Sequence, residues 1–473
     1  MKLSNDKFEL MCISMLGLGQ LFIMTGNDSL AFLLESVVHS INEREPDRID
    51  AHAGYYGLAV LYFFYNLTCL FSPSFLYATS AKITLFISSV FFTTLPIGFL
   101  YMNKYYFYFS CALNGVGFAL YYSGNGGYLT SHSSRKSIES NASLYWSLAS
   151  TCMIVGSAII FVITYYTAGR ELPSVGVNST ALVEHENERR FSDNEIYLLF
   201  GVFTAVSVLG NIMFLLLPSR DSENCIESSQ KTVAFSDGLH RMYRAMRSPK
   251  MIILIPMFLL IGVNTSFWVS IYPTTLIFNK SNRQLIYLQA FYSFGVGSGE
   301  LLMGVLISQL SKRIKNFGLR PTFFIGCIFT LAYCFMVLLT TPISSPIHPT
   351  SEPPLLFQPT NGIVILIGIL GGMGDCCTSS VRSVVCAINM PNRRDQAFAV
   401  SKFFQSFGTG IMFFLSPFLN LYYYVIGVPI LYIIAGYCFY HESARIQKLE
   451  MAVTMEMEQK EQQKRAKEYK QFD

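Results

Sequence analysis

The stretch LMCISMLGLGQLFIMTGNDSLAFLL, residues 10–34, decides the class of fold. It exceeds the roughly 20 apolar residues that a helix needs to cross the hydrocarbon core of a membrane, and Asp28 is its only charged residue. No small-residue cleavage pattern follows a short apolar core, so the stretch is predicted to remain in the protein as a first span. Since backbone groups in hydrocarbon must pair within their own segment, we expect a helix.

Similar apolar runs continue along the whole chain. They cover about 54–71, 83–102, 105–129, 141–167, 197–217, 251–271, 284–310, 322–341, 362–386, 398–421 and 423–441. Of the 473 residues, 52% are apolar and 14% are charged, whereas soluble proteins carry about 25% charged residues. Mean hydropathy is positive at +0.39. These values predict an all-α protein with twelve transmembrane helices in a lipid bilayer.

Composition and motifs argue against several other functions. A net charge of +4 gives no basis for nucleic-acid binding through a bulk basic field. Ten of the eleven cysteines fall in or beside apolar runs, and no Cys/His cluster suggests a metal site or disulfide framework. We find no catalytic constellation and therefore expect neither an enzyme nor a cofactor.

The distribution of Lys and Arg predicts how the chain is oriented. Loops on the side of the N-terminus carry more of these residues than loops on the other side, which places both termini in the cytosol. The glycosylation sequons at Asn178 and Asn279 then lie outside the cytosol. Either the plasma membrane or an endomembrane fits this topology.

An internal repeat divides the chain into two halves. Gly117 precedes Arg135-Lys136 by the same interval, within one residue, as Gly374 precedes Arg393-Arg394. An apolar span follows each basic pair, so the fourth and tenth spans correspond and the halves are parallel duplicates. We therefore expect an N-terminal half (1–217), a cytosolic linker (218–250), a C-terminal half (251–441) and a cytosolic tail (442–473). Within the linker, the spacing predicts a short basic amphipathic helix, which lies either along the membrane interface or in solvent.

Ionisable residues inside spans are costly and are therefore candidates for function. The candidates here are Asp28, Glu300, Asp375, Arg382 and Lys402. Asp375 and Arg382 share one helix face and form either a polar site or a structural ion pair between helices. Glu300 lies among glycines and either binds a cation or proton or hydrogen-bonds a neighbouring helix. We expect Lys402 to snorkel to the cytosolic interface. Asp28 lies near the outer end of its span, either at a hydrated boundary or in a buried site.

Four motifs, in order, resemble the UNC-93-like family of the major facilitator superfamily. The second span has the family's pattern at Gly54, Tyr55, Ala59, Tyr62, Leu70, Pro73 and Ser74. The fourth span is similar in its glycines from Gly115 to Gly126 before Tyr128-Leu129-Thr130, with Asn125 where many members have Gln. The tenth carries Gly372-Met-Gly374-Asp375, and the eleventh carries Ala397, Phe398, Lys402 and Gln405.

The resemblance implies a twelve-helix major facilitator fold and two hypotheses for function. Family members include regulatory subunits of potassium channels and trafficking partners of receptors, which implies a non-enzymatic regulator or trafficking partner here. The alternative is a secondary transporter of a small solute or ion by alternating access. Val381 stands where many members have Gln, and 72–82 lacks the Gly-x-x-x-Asp-Arg signature, which argues against direct sugar transport.

Overall fold

The computed structural model describes residues 4–134, 137–168, 191–222, 225, 235–282, 285–314, 318–390 and 393–445. The sequon at Asn178 and the tail beyond residue 445 lie outside these ranges. The helices, numbered in chain order, are α1 (Asn5–Arg44), α2 (Ala53–Cys69), α3 (Ser72–Ala78), α4 (Ala81–Gly98), α5 (Lys104–Ser131), α6 (Ile138–Ala149), α7 (Cys152–Ala168), α8 (Asp193–Leu216), α9 (Phe235–Met246), α10 (Pro249–Ile252), α11 (Ile255–Ser266), α12 (Tyr272–Phe278), α13 (Leu288–Arg313), α14 (Leu319–Thr340), α15 (Asn361–Asn389), α16 (Arg394–Leu415) and α17 (Leu421–Arg445).

Ten helical stretches of the described chain are long and apolar enough to cross a membrane. The pair α2 and α3, bent by 60° at Leu70–Phe71, makes an eleventh. Helix α5 is long enough to cross a membrane, but its mean hydropathy is lower because glycines, asparagines and serines lie among its apolar residues. It nevertheless packs between α2 and α4, and it completes the predicted set of twelve.

The helix contacts reproduce the internal repeat. Helix α5 packs against α2 and α4, and helix α15 packs in the same way against α13 and α14. Close glycine contacts also recur: a Cβ on Gly115 would lie 2.0 Å from the Leu61 carbonyl oxygen, and one on Gly372 would lie 2.2 Å from that of Val296. The fourth and tenth spans therefore approach equivalent neighbours, as two parallel halves require.

The two halves meet along two long helix pairs. Helix α2 packs against α16, and helix α7 packs against α13. Two membrane crossings separate the start of α1 from the end of α3, so both lie on one side, which we call the terminal side. There the Tyr77 hydroxyl donates to Asp395 at 2.8 Å. On the opposite side, the Tyr55 hydroxyl donates to the Pro346 carbonyl at 3.0 Å.

Helix α1 extends ten residues beyond the predicted end at residue 34. The extension is possible because its polar side chains find partners inside the protein. Glu35 is fully buried and accepts hydrogen bonds from the Tyr55 backbone N–H and the His52 ring. As a result, Asp28 lies in the middle of a 40-residue helix. Its position near the outer end of the membrane span stays a prediction.

The linker contains a helix, as the spacing predicted. The buried residues of α9 are Gly238, Met242 and Ala245, whereas Leu239 is exposed. Helix α9 packs against α3 and α16, so it contacts both halves at the terminal side. The position of α9 along the membrane interface or in solvent stays a prediction.

Candidate functional site

The five predicted site residues come from four helices and both halves. Asp28 lies on α1, Glu300 on α13, Asp375 and Arg382 on α15, and Lys402 on α16. Arg382 is buried, and the other four are half-buried. Of their contacts, described below, that of Lys402 crosses to a residue of the other half, which places this group where the two halves face each other.

Asp375 is held in place by two hydrogen-bond donors. The Trp268 indole N–H donates to Oδ1 at 3.2 Å, and the Ser379 hydroxyl donates to Oδ2 at 3.3 Å. Trp268 belongs to a short π-helical turn, Phe267–Ile271, between α11 and α12. Such turns often mark functional sites, because they shift a side chain out of the regular helical register.

Arg382 does not form the predicted ion pair with Asp375. One terminal guanidinium nitrogen donates instead to Oε1 of Gln405 on α16. Within the described ranges, the two charged groups share no contact shorter than 4 Å, although they interact electrostatically. The Arg382 side chain therefore links α15 to α16. Among the described residues, it does not form the structural ion pair with Asp375 that was one of the two alternatives predicted from the sequence.

Lys402 points into the protein and does not snorkel to the interface. Its Nζ lies 4.0 Å from the centroid of the Tyr122 ring on α5, a cation–π contact across the two halves. The ammonium also interacts electrostatically with Arg382 and Asp375. The contact with Tyr122 stabilises the ammonium inside the protein, and a position read from the sequence does not reveal this contact.

Asp28 and Glu300 lie at the other end of this polar region. The Cys152 thiol at the start of α7 donates a weak hydrogen bond to Asp28 at 3.5 Å. In the part of the chain that the structure describes, Glu300 has no hydrogen-bond partner and neither carboxylate has an ion-pair partner. Both carboxylates interact electrostatically with each other, and Glu300 also interacts with Asp375.

Together these contacts place the five ionisable groups in one region between the halves. The charges are ordered, with the cations Arg382 and Lys402 at one end, Asp375 beside them, and Glu300 and Asp28 beyond. Such an arrangement can bind a charged solute or carry a proton, since intramembrane ionisable groups mark such pathways. The convergence of Asp28 with the residues of the second half was not predictable, because no spacing links residues so distant in sequence.

Several aromatic residues of the site escaped the sequence analysis. Tyr62 and Tyr122 both interact electrostatically with Asp28 and Asp375, and the rings of Tyr65 and Tyr122 stack at 6.2 Å. Tyr62 stood within a family motif and could have been selected on that basis. Trp268 carried a weaker signal, as one of only two tryptophans in the chain.

The asparagine of the glycosylation sequon at Asn279 is buried in the structure. Asn279 follows α12 and is 2% exposed, and its side-chain oxygen accepts a hydrogen bond from the Ser281 backbone N–H. A glycan would have to be attached before this segment packs. Glycosylation at Asn279 stays a prediction, as it does at Asn178.

The sequence profile described as "Ion channel regulatory protein UNC-93" matches residues 45–440, most of the chain. The chain belongs to the UNC-93 family. This assignment confirms the resemblance that the four motifs indicated. Among the relatives of this UNC-93 family protein, the UNC93-like protein MFSD11 of Xenopus laevis is 24% identical over 442 residues. That match covers 89% of this chain and 93% of the relative. Protein unc-93 homolog A of Bos taurus is 22% identical over 387 residues, with 77% and 80% covered.

Solved structures establish the fold of this UNC-93 family protein. A peptide transporter POT in complex with alafosfalin superposes with a TM-score of 0.65 at 12% identity, covering 95% of this chain and 99% of that one. The xylose transporter XylE from E. coli superposes with a TM-score of 0.57 at 14% identity, with 92% and 98% covered. The protein therefore has the major facilitator fold, as predicted. Its family and structural neighbours are named as regulators or transporters.

Proposed function

We propose that this UNC-93 family protein is a secondary transporter of a small solute, with its binding site between the two halves. One observation carries the proposal: ionisable side chains from both halves converge on a half-buried region inside the bundle. Burying ionisable side chains inside the membrane costs free energy, and such residues occur mainly where a substrate or ion passes. Transporters built from repeats bind their substrates at this location, near the membrane midplane at the repeat interface.

Contacts at the two ends of the bundle supply the closures that alternating access needs. On the opposite side, Tyr55 reaches Pro346, and the Gln289 amide donates to the Phe32 carbonyl at 3.2 Å. On the terminal side, Tyr77 reaches Asp395. Hydrogen bonds of this kind between the halves can break and re-form as the halves rock. We propose that the terminal side faces the cytosol of the plasma membrane or an endomembrane, as the Lys and Arg bias indicates.

Neutralising Asp375 tests the transport proposal. The purified protein would be reconstituted in liposomes with an imposed proton gradient, and uptake would be screened over a panel of labelled small solutes. We expect Asp375→Asn to abolish gradient-driven uptake of any solute that the native protein carries. The control is Asp47→Asn, because Asp47 is exposed in the loop after α1. Unchanged uptake by Asp375→Asn would remove this residue from the mechanism, and no uptake by the native protein would contradict transport.

A second candidate function follows from the family description, which names an ion channel regulatory protein. We propose as the alternative that the protein regulates or traffics a partner such as a potassium channel. The surface that supports it is a stripe on α17, where exposed apolar side chains recur at helical spacing: Ile426, Ile430, Ile433, Tyr437 and Tyr440. A partner in the membrane would dock on such a lipid-facing stripe and not in the central site.

Co-purification distinguishes the two functions. A partner recovered with the native protein should be lost when Ile433 and Tyr437 are both replaced by Ala, because these two positions are the most exposed of the stripe. The matched control replaces Ile212 and Leu216, which are exposed on α8. Robust solute uptake without a recovered membrane partner would count against the regulatory function.

A further inference from the structure

Arg382 carries a buried hydrogen-bond donor that nothing in the described chain satisfies. The side chain is 8% exposed, and although one terminal nitrogen donates to Gln405, the Nε–H has no partner. A buried donor without an acceptor costs about 1–3 kcal/mol, and a charged one costs more. The orphaned N–H lies beside the central site, so a ligand acceptor there would remove this cost.

The Tyr65 hydroxyl is a second unsatisfied donor beside Arg382. Tyr65 is 4% exposed, its hydroxyl has no hydrogen-bond partner within the described residues, and it interacts electrostatically with Arg382. Its ring stacks on Tyr122, which also carries Lys402 over its face. The packing of these rings fixes the position of the hydroxyl, so the donor is held in place before any ligand arrives.

The charge at this end of the site is not balanced by the protein. Arg382 and Lys402 repel each other, and the anion that interacts with both is Asp375. The Asp375 oxygens already accept from Trp268 and Ser379. Two cations and a hydroxyl donor beside one engaged carboxylate leave an excess of donors and positive charge. A second carboxylate would satisfy it, since guanidinium groups bind carboxylates with two parallel hydrogen bonds.

The far end of the site has two carboxyl groups without a cation beside them in the described chain. When both are ionised, Asp28 and Glu300 repel each other, and neither has an ion-pair partner among the residues that the structure describes. The contact at Asp28 is the weak one from the Cys152 thiol. An ammonium group between the two carboxylates would supply the missing positive charge and up to three donors.

We propose that the central site binds a small zwitterion, with its carboxylate on Arg382 and Tyr65 and its ammonium group between Asp28 and Glu300. The inference rests on the proposed transport function only in that the ligand would be the transported solute. Matching charge at both ends distinguishes a zwitterion from a simple acid or amine, each of which would leave one end of the site unbalanced.

Binding can be tested with a graded series of probes. The purified protein in detergent would be titrated with unbranched ω-amino acids of three to seven carbons, and the unfolding midpoint would be recorded. Unbranched carboxylic acids and primary amines of the same lengths serve as matched monofunctional probes. We expect a saturable rise in midpoint for at least one amino acid, and no comparable rise for the acid or amine of the same length. The absence of a response across the series, or an equal response to a monofunctional probe, would overturn the proposal.

Two variants test the placement of the carboxylate. Tyr65→Phe removes only the hydroxyl and should weaken binding about tenfold, the value of one hydrogen bond to a charged group. Arg382→Gln should weaken it about a hundredfold or more. The control Arg320→Gln removes an arginine that contacts Ser443 and Tyr440 away from the site, and it should leave binding unchanged. Full affinity in Tyr65→Phe would overturn the placement even if Arg382→Gln fails to fold.

Uptake measurements separate failure of this inference from failure of the transport function. If a labelled amino acid binds but does not accumulate in proteoliposomes, the ligand class stands and transport is contradicted. If the protein carries other solutes and Arg382→Gln leaves that uptake intact, transport stands and the zwitterion site is overturned.

Discussion

Glu35 is a fully buried carboxylate in a membrane-spanning helix. Its two oxygens accept from the Tyr55 backbone N–H at 2.9 Å and from the His52 ring at 3.0 Å. The neighbouring Gly54 allows this approach, since a Cβ there would lie 2.4 Å from the Glu35 Cα. Buried carboxylates are tolerated when their oxygens accept hydrogen bonds. Gly54 and His52 together therefore offset the free-energy cost of burying Glu35 in this position.

This contact predicts a pH dependence of stability. The hydrogen bond to Glu35 raises the pKa of His52, which lies outside the spans, above its ordinary value of 6.5. Protonated His52 therefore favours the folded state, and the stabilisation is complete below pH 6.5 and lost as pH rises through the folded pKa. We expect the unfolding midpoint to fall by roughly 1–2 °C on this account between about pH 6 and pH 8.5.

The measurement is a thermal melt of the purified protein across that pH range. His52→Gln should flatten the decline, because glutamine can donate to Glu35 but does not titrate. His348→Gln is the control, since His348 is exposed and contacts a backbone carbonyl, not a carboxylate. An unchanged decline in His52→Gln would show that other groups cause it.

The residue scale also shows how far the sequence could predict the site. Charges inside apolar runs identified all five candidates, because the energetic cost of such residues is visible in the sequence. Their partners were not visible: Lys402 finds the Tyr122 ring and Arg382 finds Gln405, both through contacts between helices. A position along one helix specifies depth in the membrane, whereas the rotation and neighbours of that helix come from tertiary packing.

At the scale of elements, glycine contacts determine how closely the helices of each half approach. Gly115 on α5 and Gly372 on α15 are equivalent in the repeat, and each meets a backbone carbonyl of the adjacent helix. The repeat is recognisable in the sequence because the interval between a glycine and the basic pair after it recurs in both halves. The packing of α9 is not, since it depends on contacts with α3 and α16.

These contacts predict a selective effect of adding one methyl group. Gly115→Ala and Gly372→Ala would each place a Cβ near 2 Å from a carbonyl oxygen, so the helices must separate. Overpacking of this kind costs about 1–3 kcal/mol, and the unfolding midpoint of the purified protein should fall by several degrees. Gly126→Ala on α5 is the matched control, because nothing lies within 4 Å of its Cβ position. An equal fall in Gly126→Ala would indicate that helix α5 tolerates no alanine, and close packing would not be the cause.

At the scale of the whole molecule, the two halves form a single polar site and are joined by hydrogen bonds at both sides. The polar site belongs to neither half alone, since Asp28 and Tyr122 come from the first half and Glu300, Asp375, Arg382 and Lys402 from the second. Composition and the repeat were sufficient to predict twelve helices in two parallel halves, because span length and duplication are linear features of a sequence. Which helix surfaces of the two halves pack against each other is not a linear feature of the sequence, and only the structure shows it.

Transport by alternating access requires the two halves to move relative to each other. Asn66 on α2 contacts Ser406 on α16 at 3.3 Å, across the halves, whereas Thr93 on α4 contacts Asn211 on α8 at 2.9 Å within one half. Cysteines at Asn66 and Ser406, joined by a short bifunctional thiol reagent, should abolish solute uptake in proteoliposomes, because alternating access requires the halves to rock. Cysteines at Thr93 and Asn211, joined in the same way, should leave most uptake intact.

Mass spectrometry of the cross-linked peptides confirms each link, which is needed because the chain has eleven native cysteines. Full uptake with the halves joined would contradict alternating access, and equal loss in both pairs would mean that the reagent, not restricted motion, inactivates the protein.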